Sequence, residues 1–282
     1  MNADTRLRAS TGGSQFGFLA PWSSLSRNSR LVRDLTRRDI SGRYRGATGG
    51  IVWAFVTPLL MLAVYSLVFG FIFEARWTSV ETREISFPIV LFAGLLFANL
   101  LSECLNRAPG LVLANANYVK KVIFPLEILP WVVVGTALFH AAVSIVVLVL
   151  ALLVTGSPIA PTIVLLPLLF LLFVPMLAGF TWMFAALGVF LRDLQHVVGI
   201  LATALLFLAP VFYPRTMLPE DYRWLLSLNP LTYVVETARD LILWNQLPSL
   251  PATGIYVAVS LLIGWLGWVV FESTRKGFAD VV

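Results

Sequence analysis

The feature that most constrains this chain is a run of 64 consecutive residues, between Glu127 and Arg192, without an aspartate, glutamate, lysine or arginine. A helix of about 20 apolar residues crosses a hydrocarbon core of roughly 30 Å, so this run is too long for one crossing. The segment TGSPIAP at 155–161 divides it, because glycine and proline are typical of turns. We therefore predict two membrane spans, near 131–154 and 163–191. Pro167 and Pro175 lie in the second span, where a kink is expected.

Composition excludes a water-soluble fold. Of the 282 residues, 59% are hydrophobic and only 12% are charged, whereas soluble domains carry about 25% charged residues. We expect a single all-α integral membrane domain over residues 1–282, with lipid covering the apolar surface. The net charge of +5 comes without a basic stripe outside the membrane flanks, so nucleic acid is not an expected partner. The single cysteine, Cys104, allows no intrachain disulfide and no Cys/His metal cluster.

Further charge-free windows raise the number of predicted spans to six. They lie at about 51–73, 87–105, 197–213 and 253–271. An even number places both termini on one side of the membrane. That side carries 15 of the 20 lysines and arginines, most of them before Ile51. Because lysine and arginine resist translocation, we predict that both termini are cytoplasmic.

The N-terminal region predicts a tail followed by a membrane-surface helix. Residues 1–24 lack the apolar core of a signal peptide and are expected to form a flexible cytoplasmic tail. Residues 25–46 are expected to form an amphipathic interfacial helix with its arginines near lipid head groups. The alternative is a positive-inside anchor with no further role. One side of the helix would carry Leu25, Leu31, Val32, Leu35 and Ile40, and the other Arg30, Arg33, Asp34, Arg37 and Arg38.

The segment 214–246, between spans five and six, predicts two short helices that do not cross the membrane. Pro219 and the acids after it favour the start of the first helix, which ends at Leu228. Asn229 would cap the second, from Pro230 to about Trp244. We interpret the pair as re-entrant or interfacial helices on the outer side that form a gate, with an inert aromatic cap as the alternative. The candidate gate residues are Trp224, Asn229, Glu236 and Arg239.

Catalysis by this chain is poorly supported. Its two histidines are His140 and His196, and no carboxylates are paired at a spacing that suggests a site within the membrane. We expect His140 to bond a neighbouring helix and Glu103 to pair with Arg107 four residues later. No lysine follows a glycine, so the chain has no phosphate-binding P-loop. If the chain is driven by ATP, another polypeptide must supply the ATPase.

The loop between the second and third predicted spans is the expected grip for such a partner. It reads NANYVKKVIFPLEILPW from Asn115 and should form a short helix along the membrane surface. An exposed aromatic beside paired positive charges suits docking into a cleft of a soluble protein. Ordinary positive-inside anchoring is the alternative. The candidate coupling residues are Tyr118, Lys120, Lys121, Phe124 and Pro125.

Three sequence segments together resemble the permease subunits of type 2 ABC exporters, in the branch that moves lipid-linked polysaccharides. They cover most of the chain in the expected order. The segments are RDISGRYRGATGGIVWAFVTPLLMLAVYSLVFGFIF, NYVKKVIFPLEILP, and FLRDLQHVVGILATALLFLAPVFYPRTMLP followed by LNPLTYVVETARDLIL.

The resemblance implies a homodimer in a bacterial inner membrane with two copies of a separate nucleotide-binding subunit. ATP and Mg²⁺ would be bound by that partner, and no cofactor by this chain. The substrate would be a polyprenyl-diphosphate-linked polysaccharide of the O-antigen, capsule or teichoic acid type. Guanidinium groups suit phosphate oxygens, so the candidates for the substrate entrance are Arg38, Arg43 and Arg45.

A sugar chain also needs a passage that binds loosely, which aromatic faces provide. The candidates to line a dimer channel are Tyr65, Phe69, Phe97, Phe207 and Tyr213; the alternative is that these rings pack between helices.

Two rival functions stay open. A lipid or drug exporter of the same family would have a narrower and less aromatic passage, and an intramembrane enzyme acting on a lipid-linked sugar would need carboxylates or histidines that converge near one interface.

Overall fold

The computed structural model describes residues 16–74, 77, 85–119 and 124–281, and every regular element in these ranges is helical. Two π-helical segments, Ser66–Ile72 and Asp240–Trp244, extend α3 and α11. The α-helices are α1 (Ala20–Arg27), α2 (Ser29–Arg43), α3 (Trp53–Tyr65), α4 (Phe87–Arg107), α5 (Leu111–Ala114), α6 (Ala116–Val119), α7 (Leu129–Val154), α8 (Leu166–Phe190), α9 (Leu194–Leu208), α10 (Arg223–Leu228), α11 (Pro230–Arg239), α12 (Leu250–Thr274) and α13 (Phe278–Val281).

Five helical stretches in the described residues are long and apolar enough to cross a membrane. Within the most apolar part of each, burial inside the protein ranges from 83% for the stretch containing α4 to 6% for that containing α3. Helix α4 is therefore the centre of the bundle, and α3 lies at its edge. The five stretches are Gly50–Ile72, Phe87–Arg107, Leu126–Val154, Pro161–Phe190 and Leu250–Val281.

The span predicted at 197–213 differs from the structure. Helix α9 has 15 residues and ends at Leu208, which corresponds to about 22 Å at 1.5 Å per residue. The helix stops there because Ala209 precedes Pro210, and a residue before proline is driven into extended geometry; Ala209 has φ −82° and ψ 152°. The apolar window continued to Tyr213, but the helix does not.

Helices α8 and α12 pack with their backbones in contact. A Cβ atom on Gly267 of α12 would collide with the backbone of Gly179 on α8, and one on Gly179 would collide with the backbone of Ile263 and Gly264. Small residues that let two helices approach this closely are a common means of association in membranes. The glycines therefore set the separation of these two spans.

The two prolines predicted to kink the fourth span have different roles. Pro167 lies in the first turn of α8, where proline is tolerated. Pro175 lies inside the helix, and the Ser260 hydroxyl of α12 bridges the backbone beside it. That hydroxyl donates to the Leu172 carbonyl at 2.7 Å and accepts from the Met176 amide at 3.2 Å. A side chain inserted into the helical ladder in this way satisfies groups that proline disturbs.

The N-terminal region is more ordered than the sequence predicted. Residues 1–15 of the expected tail lie outside the described residues, but α1 already begins at Ala20, so the prediction of a flexible tail to Ser24 is corrected. The indole of Trp22 lies 5.4 Å from that of Trp131, which starts a ladder of rings continuing to Trp182 and Trp268 at 5.1 Å steps. These aromatic contacts anchor α1 on the membrane spans.

The helix predicted over 25–46 is divided at Asn28 into α1 and α2. The Asn28 side chain donates to the Ser24 carbonyl at 2.9 Å and covers the end of α1. Val32 is buried, and Leu25, Leu31 and Leu35 pack against the protein core. The apolar face therefore contacts the spans, because an amphipathic pattern does not distinguish protein from lipid as its partner.

Candidate functional site

A cluster of charged and polar side chains joins α2, α4 and α7. Arg43, at the end of α2, contacts Glu103 of α4 with 2.9 Å between Nη2 and Oε1. Arg107, one turn after Glu103, has its Nη1 atom 3.6 Å from the same oxygen, which is consistent with the predicted pair. Glu103 is thus shared by two guanidinium groups.

His140 of α7 holds the other oxygen of this carboxylate. Its Nδ1 atom lies 2.8 Å from Glu103 Oε2, and its Nε2 atom lies 3.0 Å from the Tyr44 hydroxyl. A neutral imidazole that accepts from Tyr44 carries its proton on Nδ1 and donates it to Glu103. The expectation that His140 bonds a neighbouring helix fits these contacts.

Asp39 of α2 completes the junction on its other side. Its Oδ2 atom accepts from Arg107 Nη2 at 2.7 Å and from the Thr136 hydroxyl at 2.8 Å. Close packing supports these contacts, because a Cβ on Gly135 would lie 3.0 Å from Thr36 Oγ1. The helix predicted to lie on lipid is therefore fixed to two spans by charge and by packing.

Two cavities meet at Arg43. The first, of about 470 Å³, lies between α2, α4, α5 and α7, and its charged lining residues are Arg38, Asp39, Arg43 and Arg107. The second, of about 370 Å³, lies between α3, α4 and α7; it contains Glu103 and His140. Arg38 and Arg43 of the predicted entrance thus face a cavity, whereas Arg45 is exposed and lines neither.

The loop predicted to grip a partner forms the short helices α5 and α6. Tyr118 stacks on Phe124 with ring centroids 4.2 Å apart, and Tyr118 also lines the first cavity. Pro125 precedes a single 3₁₀ turn, Leu126–Ile128, that leads into α7. Lys120 and Lys121 lie outside the described residues.

This loop is tied to the C-terminal end of α12 immediately before α7 begins. Glu127 Oε2 lies 2.8 Å from Arg275 Nη1, and the Glu127 carbonyl accepts from Trp182 Nε1 at 3.0 Å. Displacement of the loop would therefore shift its contacts with both α8 and α12. The sequence reasoning missed this connection, since the paired residues are far apart in the chain.

The five candidate channel aromatics do not form one surface in this protomer. Tyr65 lines the second cavity, and Phe69 packs against Phe87 at 5.6 Å. Phe207 is 60% exposed, and the Tyr213 hydroxyl donates to its carbonyl at 3.3 Å. Phe97 has no exposed surface and stacks on a phenylalanine of α8, so its assignment to the channel is corrected.

Helix α11 begins at Pro230, where the sequence predicted, whereas α10 begins at Arg223, after a 3₁₀ turn over Glu220–Tyr222. The Asn229 side chain accepts from the Leu231 amide at 2.9 Å, which caps α11, and donates to the Leu205 carbonyl of α9 at 2.7 Å. Trp224 on α10 is 59% exposed. Glu236 lies 3.7 Å from Arg215; burial raises the pKa of its carboxyl group, and the charge of Arg215 opposes that shift.

The candidate gate residue Arg239 is buried. It is 2% exposed and donates to the carbonyls of Val90, Pro210 and Val211 at 3.0, 2.5 and 2.6 Å. Its guanidinium carbon lies 4.4 Å from the ring centroid of Trp77. A Cβ on Gly94 would occupy this space, at 2.5 Å from Arg239 Nη2. Arg239 therefore joins α11 to the start of α4 and the end of α9.

Sequence comparison places the chain among known transport proteins. The family model described as ABC-2 type transporter matches residues 30–243. The O-antigen export system permease protein RfbA of Myxococcus xanthus is 31% identical over 255 residues, covering 89% of this chain and 95% of that protein. RfbA of Klebsiella pneumoniae is 25% identical over 258 residues, with the same coverage. The polysialic acid transport protein KpsM of Escherichia coli is 27% identical over 243 residues, covering 83% of this chain and 90% of that protein.

Proposed function

Because this chain belongs to the ABC-2 type transporter family, we propose that it is the membrane-spanning subunit of an ATP-driven exporter of polyprenyl-diphosphate-linked polysaccharide. The observation that carries the proposal is the two-cavity junction at Arg43, in a chain whose relatives are named for export of O antigen and polysialic acid. The polymer would be of the O-antigen, capsule or teichoic acid type.

The working unit is a homodimer of six-span subunits in a bacterial inner membrane, with all termini in the cytoplasm. The exposed side of α3 supports a partner or lipid contact, since Leu59, Val64 and Phe71 are all about half exposed or more. Helix α9 and the residues after it complete the sixth crossing. Helices α10 and α11 are re-entrant on the outer side, where Trp224, Asn229, Glu236 and Arg239 belong to the gate.

Two copies of a separate nucleotide-binding subunit bind and hydrolyse ATP with Mg²⁺. They dock on the loop that carries Tyr118, Phe124 and Pro125, with Lys120 and Lys121 beside them. The stacked rings of Tyr118 and Phe124 support this role, because they hold two aromatic residues of the loop together where a partner would bind. Glu127 and Arg275 pass the motion on to α12.

Lipid-linked substrate enters beside α2, where arginines face the first cavity. Arg38 and Arg43 bind its diphosphate, and Arg45 attracts it from the flank of α3. Guanidinium groups recognise phosphate oxygens through paired hydrogen bonds. The sugar chain follows an aromatic passage in the dimer to which Tyr65, Phe69, Phe207 and Tyr213 contribute.

The test of this function is reconstitution in lipid nanodiscs and in vesicles. The chain alone should not hydrolyse ATP, and adding the nucleotide-binding subunit should produce ATPase activity that lipid-linked polysaccharide stimulates. Vesicles containing both subunits should move the polymer across the bilayer. Stimulation by a phospholipid or drug, with no response to the polymer, would contradict the proposal and favour the rival exporter.

The entrance residues provide a sharper prediction. Replacing Arg38 or Arg43 with glutamine should lower polymer-stimulated ATPase activity about tenfold, because the lost charge-assisted hydrogen bonds are worth about 1.5 to 3 kcal/mol. The matched control is Arg33→Gln, an exposed arginine of the same helix that lines neither cavity. Equal losses in all three variants would indicate a general effect of basic charge at the membrane surface.

One observation favours a second candidate, an intramembrane enzyme acting on a lipid-linked sugar. Such an enzyme needs converging carboxylates and histidines, and Glu103 and His140 meet beside Arg43. However, Glu103 and Asp39 are both paired with arginines. Such pairing suits a contact that holds the helices together better than it suits a general base. Turnover of a lipid-linked sugar by the chain without its ATPase partner would support the enzyme.

A further inference from the structure

Glu103 lines the second cavity and contacts Arg43, the residue at which the two cavities meet. The first cavity has three arginines and one aspartate in its lining. The second is lined by one arginine and one carboxylate, with neutral groups that include Asn99 and Ser144. Arg43 lines both cavities, and Glu103 already contacts its guanidinium at 2.9 Å.

The Oε1 atom of Glu103 is held by charge more than by aligned hydrogen bonds, whereas Oε2 is hydrogen bonded to His140 at 2.8 Å. Within the described residues, Glu103 Oε1 and Arg107 Nη1 are buried and neither has a hydrogen-bond partner of acceptable geometry. Buried polar atoms are almost always hydrogen bonded, and an anion with several acceptor oxygens would give Arg107 Nη1 a better aligned partner than Glu103 Oε1 at 3.6 Å.

We propose that Glu103 is a resident anion that occupies Arg43 and Arg107 until a diphosphate group displaces it, and that His140 retains the displaced carboxylate. The proposal deepens the proposed function and rests on it, because the ligand is the diphosphate of the lipid-linked substrate. Arg43 exchanges one anion for another of higher charge, and Arg107 keeps its ion pair with Asp39 at 2.7 Å while its other nitrogen changes partner. The exchange leaves no guanidinium without a counter-charge.

His140 is suited to this role by its fixed ring. Nδ1 faces Glu103 Oε2 at 2.8 Å, and Nε2 is occupied by Tyr44 at 3.0 Å. The hydrogen bond to Tyr44 orients the imidazole. The Nδ1 donor of His140 therefore stays directed at the Glu103 carboxylate when Arg43 no longer contacts it. His140 and Tyr44 are therefore positioning residues for the exchange.

The test is binding of farnesyl diphosphate, as a short probe, to the complex with its nucleotide-binding subunit in nanodiscs. Glu103→Gln preserves size and removes the competing charge, so the probe should bind about tenfold more tightly, or about 1.4 kcal/mol. His140→Leu should weaken binding severalfold, because Glu103 then has no partner other than the arginines. His140→Asn restores an amide donor near the position of Nδ1 and should return the affinity toward that of the wild type.

The opposite signs separate this role from a structural one, since simple damage to the junction would weaken binding in every variant. Unchanged or weaker binding in Glu103→Gln would overturn the proposal. If Arg43→Gln abolishes binding while Glu103→Gln leaves it unchanged, the resident anion is wrong and the diphosphate site of the proposed function stands. If the wild-type complex exports polymer but does not bind the probe, the proposal fails and the export function does not.

Discussion

Replacing Arg239 with alanine should lower the free energy of unfolding by roughly 3 to 5 kcal/mol. The change removes charge-assisted hydrogen bonds to three buried carbonyl groups, and each such bond contributes about 1.5 to 3 kcal/mol. It also opens a cavity over Trp77 and Gly94. The thermal unfolding midpoint of the purified protein in detergent is the measurement.

Arg215→Ala is the matched control for this prediction. Arg215 lies between α9 and α10, is more exposed than Arg239, and contacts Glu236 at 3.7 Å. Exposed ion pairs contribute about 0 to 1 kcal/mol, so the midpoint should hardly move. Arg239→Lys should recover little stability, because an ammonium group lacks the planar fork that reaches three carbonyls at once. Equal midpoints for Arg239→Ala and Arg215→Ala would show that the buried contacts contribute little.

The membrane spans were predictable because the cost of burying charge in lipid is visible in the sequence. The stretches Gly50–Ile72 and Phe87–Arg107 lie within a few residues of the predicted bounds. The fifth window failed because hydropathy measures composition and not backbone geometry. The dipeptide Ala209-Pro210 ends α9, and the apolar residues beyond it are not helical.

Burial of a polar residue was harder to predict. The charge of Arg239 favours an exposed position, yet the residue follows Val235 by four positions and so shares the apolar face of α11. The helical spacing of Arg239 therefore indicates burial, whereas its charge indicates exposure. The carbonyls that accept hydrogen bonds from Arg239 belong to distant segments, and no local pattern indicates them.

The candidate site was predicted in its charges but not in its connections. Arg38 and Arg43 were identified from the family resemblance and the suitability of guanidinium for phosphate, whereas Asp39, Tyr44 and Thr136 were not identified. Each of these three acts through a residue 68 to 97 positions away. Such contacts depend on which helices are neighbours, and the order of spans along the chain does not determine that.

The contacts connect the parts that a transport cycle would move. Asp39 and Arg43 fix α2 to α4 and α7, while Glu127 and Arg275 fix the loop before α7 to the end of α12. Helix α4 lies at the centre of the bundle and also contacts Arg239 of α11. A displacement at the loop therefore has a continuous packed route to α11.

The backbone contact between α8 and α12, which the loop reaches through Trp182 and Arg275, gives the second large prediction. Gly267→Ala should destabilise the protein by about 2 to 3 kcal/mol, the upper part of the range for overpacking, because the new methyl group would meet the backbone of Gly179 and not a movable side chain. Gly267→Leu should prevent the two spans from packing. The yield of folded protein and its thermal midpoint in detergent measure both effects.

Gly254→Ala is the matched control, since Gly254 lies on the same helix and a Cβ there would meet nothing within 4 Å. This change should leave the free energy of unfolding unchanged or raise it by about 0.5 to 1 kcal/mol, because alanine stabilises a helix more than glycine does. Gly179→Ala combined with Gly267→Ala should cost less than the sum of the two single changes, because the first methyl group already separates the helices. Additive costs, or a harmless Gly267→Ala, would mean that the two backbones are not in contact.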